Sequence, residues 1–137
     1  KKMNKVFTLT HKEMTRFHIT LNEAINFVEN CLNTMKGGEI FVPKIPSFKV
    51  IDLIKALSQK PRIKIIGIRP GEKLHEEMVT FSDSFHTIEK KDKYIILPEI
   101  SENTASNFNR FSYNSLENKH FLSVKDIKKI LFENRLL

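Results

Sequence analysis

The chain has 137 residues, 40% of them hydrophobic and 28% charged, with a formal net charge of +7 and one cysteine. That length supports one domain with a real core and excludes two ordinary ones, and no apolar run approaches the roughly 20 residues that span a bilayer. The lone Cys31 excludes an internal disulfide and fits a reducing cytoplasm. The positive charge invites a nucleic-acid reading, but the lysines are spread along the chain. No helix-turn-helix wording, RNA-binding aromatic motif or zinc-ligand spacing accompanies them. The charge is therefore read as a solvated surface with a local share available to an anionic ligand. No signal-peptide wording is present, and a start at KKMNKV rather than Met suggests a fragment.

In chain order, Val6, Thr8 and Thr10 alternate with Phe7 and Leu9, which predicts a short strand or extended edge. A polar turn over 12–19 leads into Thr15-Arg16-Phe17. A helix is then predicted over 20–35, opened by a capping box of Thr20 and Glu23. It carries Leu21, Ala24, Ile25, Val28, Cys31, Leu32 and Met35 as one buried stripe and is ended by Gly37-Gly38. Residues 39–42 read as a strand closed by Pro43, and 44–47 as a loop. Ser47 is expected to cap a second amphipathic helix with Val50, Ile51, Leu53, Ile54 and Leu57 inward. Beyond the central stretch, 85–89 and 93–97 read as a hairpin turning through 90–92. Residues 99–110, rich in Ser, Asn and Thr, read as a mobile loop. Ser123 and Asp126 open a final helix lined by Val124, Ile127, Ile130 and Leu131. From 20 to 78 the order helix, strand, helix, strand, helix, the last two in the stretch taken next, makes the fold class α/β.

The stretch 63–78, IKIIGIRPGEKLHEEM, organises the rest. Four isoleucines around one lysine predict a strand. Gly71 marks a tight turn, and the helix formers of 72–78 predict a helix beyond it. Arg69 then stands at the strand's end with Pro70 stiffening the backbone behind it. A guanidinium there can fork onto a phosphate or carboxylate, or pair with a neighbouring Glu at the turn. Glu72, His75 and Glu76, at i, i+3 and i+4 on such a helix, superficially resemble a metal site. Without a two-histidine zinc motif they read more simply as a solvated face.

GIRPGEKLHE closely resembles the C-terminal segment of inverting UDP-N-acetylglucosamine 4,6-dehydratases, CapD-like polysaccharide-biosynthesis members of the extended short-chain dehydrogenase/reductase superfamily. MTRFHITL (14–21), GGEIFVPKIPS (37–47) and, less closely, YNSLENKHFLSV (113–124) resemble the same family in the same order. The resemblance runs from about Val6 to about Leu131. It implies the C-terminal portion of an NAD(P)-binding Rossmann-like fold with most of the Rossmann domain absent. Residues 1–137 would be the substrate-binding portion, and 20–42 would pack on the missing Rossmann sheet.

The resemblance also implies a reaction. Hydride passes from sugar C4 to nicotinamide, water is eliminated across C5–C6, and hydride returns at C6 with inversion at C5. NADP would be bound mainly by the missing N-terminal part. The four glycines form no dinucleotide fingerprint. The superfamily's Tyr-x-x-x-Lys pair is also absent, since Tyr94 is followed at that spacing by Pro98 and Tyr113 by Glu117. No catalytic residue and no metal ligand is therefore expected in this chain. Substrate grip remains. Arg69 matches the arginine that binds the UDP diphosphate, and Arg16 takes the place of a second nucleotide-facing arginine. An ion pair of Arg16 with Glu13 or Glu23 stands beside that reading. Thr10 and Val6 would line the uridine, Asn118 would contact a neutral polar part of the ligand, and Glu72 would hold Arg69. Two departures bear on the sugar: Phe85-His86 stands where the family often has Arg-Asn, and His18 where it has Trp after MTRF. The implied partners are a UDP-sugar, the missing Rossmann portion or a partner subunit, and further copies in a cytoplasmic homo-oligomer. A non-catalytic sugar-nucleotide-binding subunit from a split gene is the alternative. A basic nucleic-acid-binding module, with salt-steep binding, is the third.

Overall fold

The computed structural model describes residues 6–98 and 110–134, which fall into two compact units built from separated segments. Among the described residues the first unit takes 6–17, 46–76 and 115–134, and the second takes 18–45, 77–98 and 110–114. The 99–109 part of the expected mobile loop lies outside the described residues.

In the first unit, β1 (Val6–Leu9) pairs in parallel with β5 (Arg62–Ile65), Val6 opposite Arg62 and Leu9 opposite Ile65. Between them in sequence come β2 (Thr15–Phe17), β4 (Ser47–Lys49) and α2 (Val50–Leu57), with β2 antiparallel to β4. The helix α2 packs against α3 (Val124–Glu133), and Leu9, Met14, Ile54, Ala56 and Ile127 form the buried apolar centre. A capping box of Ser123 and Asp126 opens α3, as its three-residue spacing predicts. Ser47 does not cap α2. The helix starts at Val50 after Lys49, with no side-chain cap, and Ser47 lies fully buried in β4. Its amide donates to His120 O (2.8 Å) and its carbonyl accepts from Leu122 N (2.7 Å), so the backbone there is spent on a strand bridge.

In the second unit, β3 (Ile40–Pro43), β8 (Lys93–Ile96) and β7 (Thr87–Glu89) form an antiparallel sheet in that order. The β7–β8 hairpin matches the sequence expectation, except that Asp83–His86 forms a 3-10 turn before it. Pro43 sits on an edge strand, where its missing N–H breaks no ladder. A second pair joins β6 (Glu77–Val79) to β9 (Tyr113–Asn114). The Tyr113 hydroxyl accepts from Ile45 N (2.9 Å) and donates to Ile45 O (3.0 Å), and burial raises its pKa.

The helix α1 (Leu21–Leu32) carries the expected capping box, with Glu23 accepting from the Thr20 amide at 2.8 Å. It ends at Leu32, before the glycines, and Cys31 O then accepts from Thr34 N and Met35 N. The stripe expected to be buried divides in two. Cys31 is buried and Ala24 half-buried, with Phe27 beside them, whereas Leu21 is 76% exposed and Ile25, Val28 and Leu32 are exposed as well. Ala24, Phe27 and Cys31 recur at helical spacing, and so do Leu21, Ile25, Val28 and Leu32. The helix therefore has two apolar faces, and among the described residues only the smaller is covered.

Candidate functional site

The first unit gathers the candidate residues around the end of β5. Arg69 O accepts from Glu72 N at 3.0 Å, with Pro70 second in the turn and Gly71 third at φ +79°. Proline followed by a residue of positive φ is the pattern of a type II turn. The Glu72 carboxylate clamps this turn. One oxygen accepts from the Arg69 amide (3.2 Å) and the other from the Thr10 hydroxyl (3.1 Å), which ties the turn to the end of β1. The Arg69 side chain is exposed. Among the described residues its guanidinium has no hydrogen-bonding or ion-pair partner within the chain. Its amide, not its side chain, meets the neighbouring glutamate.

No helix follows the turn. The chain stays irregular to Glu76 and enters β6. Helix formers do not make a helix here because distant partners take the backbone groups that a helix would pair internally. Leu74 O accepts from Thr15 N (3.2 Å), Glu76 O from Ser115 N (2.7 Å), and Glu76 N donates to the Ser115 hydroxyl (2.9 Å). Glu72, His75 and Glu76 consequently share no helix face, and all three are half-buried rather than a solvated face. Glu72 turns to Thr10, while His75 Nδ1 lies 2.8 Å from the Thr15 hydroxyl. Glu76 accepts from the Phe17 amide at 2.7 Å.

Arg16 lies inside this arrangement. Its Nη1 donates to Thr15 O (2.7 Å) and Leu74 O (3.2 Å), its Nη2 to Lys73 O (3.0 Å), and its Nε lies 3.7 Å from Glu76. The ion pair is thus with Glu76, not with Glu13 or Glu23. Asn118 donates to the Ser47 hydroxyl (2.9 Å) and accepts from His120 N (3.3 Å), which engages both ends of its amide in the turn before α3. Val6 is exposed on β1, and Arg62, exposed at the start of β5, lies opposite it. The structure thus brings Thr10 to the turn of Arg69 and Glu72, with Arg16 of β2 bonded to the loop that follows. Asn118 belongs to a separate turn of the same unit.

Sequence reasoning missed the layer beneath. Thr15 and Ser115 are fully buried, their hydroxyls are 2.7 Å apart, and Thr15 also meets His75. Those contacts join residues 60 and 100 positions apart, and nothing local in the sequence announces them.

The parallel β1–β5 pair with helices between its strands makes this an α/β chain, and its likeness to a solved structure and to curated relatives puts it in the extended short-chain dehydrogenase/reductase class. Only part of its Rossmann-like domain is present. The sequence model of polysaccharide biosynthesis proteins matches residues 1–98, and the chain belongs to that family. It is 46% identical over 115 residues to a UDP-N-acetylglucosamine 4,6-dehydratase (inverting) of Campylobacter jejuni, covering 84% of this chain and 34% of that protein. A Methanocaldococcus jannaschii protein described as an uncharacterized membrane protein is 40% identical, over 92% of this chain and 40% of its own length. Among the described residues here, no helix is long and apolar enough to cross a membrane. The crystal structure of Pen from Bacillus thuringiensis superposes with a TM-score of 0.80 at 29% identity, covering 99% of this chain and 42% of that one. The chain spans about a third to two fifths of the length of these relatives, and the part it resembles in the dehydratases is C-terminal.

Proposed function

We propose that this chain is the UDP-sugar-binding portion of a cytoplasmic, C5-inverting UDP-N-acetylglucosamine 4,6-dehydratase that feeds polysaccharide synthesis. The carrying observation is Arg69: a guanidinium without an internal partner among the described residues, on a turn whose backbone Glu72 and Thr10 hold. An arginine fork presented this way suits two diphosphate oxygens, and a clamped turn lowers the ordering cost of binding. On this reading Val6, at the start of β1, and Thr10, just past its end, lie along the uridine side. Asn118 offers its amide to the ligand only by giving up Ser47 or His120, which makes it the weakest of the proposed contacts.

The residues present do not fit the nicotinamide cofactor. The four glycines make no dinucleotide fingerprint, and no Tyr-x-x-x-Lys pair accompanies them. NADP and the acid/base groups are assigned to the portion of such enzymes that this chain does not cover, and no chemical step is assigned to it. The outward stripe of α1 and the exposed apolar residues Val6 and Ile65 of the β1–β5 pair suit packing on that portion. Parallel strands are ordinarily covered on both faces.

The test is a calorimetric titration of UDP into the protein that carries this segment. Hydrogen bonds to charged groups contribute about 1.5–3 kcal/mol, so Arg69→Ala should weaken UDP binding roughly 10- to 150-fold and NADP binding far less. Arg69→Lys should recover only part, since an ammonium keeps the charge and loses the fork. Arg62→Ala, at an exposed arginine on β5, should do little. UDP affinity unchanged in Arg69→Ala sinks the reading.

A further inference from the structure

Arg16 and Arg69 belong to the same unit but are used in opposite ways. The Arg69 guanidinium has no internal partner among the described residues. Arg16 has three hydrogen bonds to the carbonyls of Thr15, Lys73 and Leu74, and Glu76 faces its remaining edge at 3.7 Å. An arginine has five N–H donors in a fixed planar fork. Binding a diphosphate in forked fashion would strip Arg16 of at least two of these bonds and pull it from Glu76. We propose that Arg16 is a positioning residue. It staples β2 to the 73–76 loop and so fixes the turn that presents Arg69, and it does not touch the nucleotide. The inference rests on the reading of Arg69 as the diphosphate-binding group.

The neighbouring bonds have the same direction of effect. Thr15 N reaches Leu74 O, Phe17 N reaches the Glu76 carboxylate, and the Thr15 hydroxyl reaches both His75 and Ser115. All three residues of β2 are therefore committed to the 73–76 loop, and Arg16 spans its two carbonyls and its carboxylate at once. A lysine at this position keeps the charge but cannot reach three carbonyls in one plane.

The test is a double-mutant cycle on UDP affinity combined with amide hydrogen exchange. If Arg16 acts through Arg69, Arg16→Ala should cost about 10-fold in affinity with Arg69 present and less than about 2-fold in the Arg69→Ala background, the non-additivity of a shared pathway. An equal loss in both backgrounds means direct contact with the nucleotide and overturns the proposal. Arg16→Lys should fail to rescue, and full rescue by lysine overturns it too. In the 137-residue chain, Arg16→Ala should speed exchange at Thr15 N and Phe17 N while Ser58 N, bonded to Ile54 O in α2, stays protected. Unchanged exchange at Thr15 and Phe17 also overturns it. Should Arg16→Ala expose Ser58 as well, reporting global unfolding, Arg16→Lys replaces it in both arms with the same expectations. If Arg69→Ala leaves UDP binding intact, the diphosphate reading falls by itself, and the exchange data still decide whether Arg16 holds the loop.

Discussion

Gly71 allows the turn to be perturbed without touching any neighbour. It holds φ +79°, and an added Cβ would meet nothing within 4 Å. Gly71→Ala therefore has no steric consequence, and its whole effect is that of an L residue forced into left-handed backbone, about 1–2 kcal/mol. That free energy can emerge in two places. If the turn stays closed in the free protein, it emerges as lost stability. If the loop relaxes until ligand arrives, it emerges as lost UDP affinity, at most about 5- to 30-fold. The two losses, one from urea unfolding and one from calorimetric titration, should together come to about 1–2 kcal/mol. Gly71→Asn should lose less, since asparagine visits this region more readily. Gly37→Ala is the matched control: φ is +121°, the space is equally open, and the residue lies in the other unit. It should destabilise to a similar degree and leave UDP affinity alone. If Gly71→Ala changes neither stability nor affinity, the positive-φ turn is not the conformation that matters. If Gly37→Ala lowers UDP affinity as much, the effect is generic destabilisation.

The outward face of α1 should make the isolated chain self-associate, and Ile25→Gln with Val28→Gln should shift sedimentation toward monomer while stability moves by no more than about 0.5 kcal/mol. A wild-type chain that already sediments as a compact monomer counts against this. Incubated with UDP-N-acetylglucosamine and NADP, the 137-residue chain should give no 4-keto product by NMR; clear turnover would show that the acid/base groups have been misassigned. Hydrogen bonds from Thr20, from Gly37 N and from Ser123 hold the Glu23, Glu39 and Asp126 carboxyls below their usual range. Folded pKa values below unfolded ones mean stabilisation that is complete above the ordinary carboxylate pKa and lost as pH falls through the folded values. The helical circular-dichroism signal should hold down to about pH 4.5 and decline below it, less steeply in Glu23→Gln with Asp126→Asn. An identical acid limb in that variant argues against the caps as its source.

What could be read in advance was what local chemistry decides. Thr20 with Glu23 and Ser123 with Asp126 lie three residues apart, and both boxes form. Pro70-Gly71 dictates its turn by backbone preference alone. The failures share a different cause. Helix propensity over 72–78 lost to hydrogen bonds from Thr15 and Ser115, and Ser47 went to a strand because His120 and Leu122 bridge it. Arg16 looked as available as Arg69 because its carbonyl partners at 73 and 74 are 57 and 58 residues away. The α1 pattern revealed that the helix is amphipathic but not which apolar stripe is covered. Periodicity carries no information about what lies opposite.

The first unit's candidate site is supported from below by hydroxyls rather than hydrocarbon. Thr15, Ser47 and Ser115 have no exposed surface, and each bonds a side chain from another segment of the unit. Apolar packing of the same volume would bury as much surface with less desolvation cost, so stability alone does not explain these residues. Direction does. A hydroxyl accepts and donates along fixed lines, and a network whose members satisfy one another permits fewer alternative registers than a greasy contact of equal area. For the loop that follows the turn, beyond the end of β5 at Ile65, a shift of one residue would move Arg69 off its turn. The polar layer of buried Thr15 and Ser115 with half-buried His75 makes that slip expensive, because every bond in it would be left unmade at once.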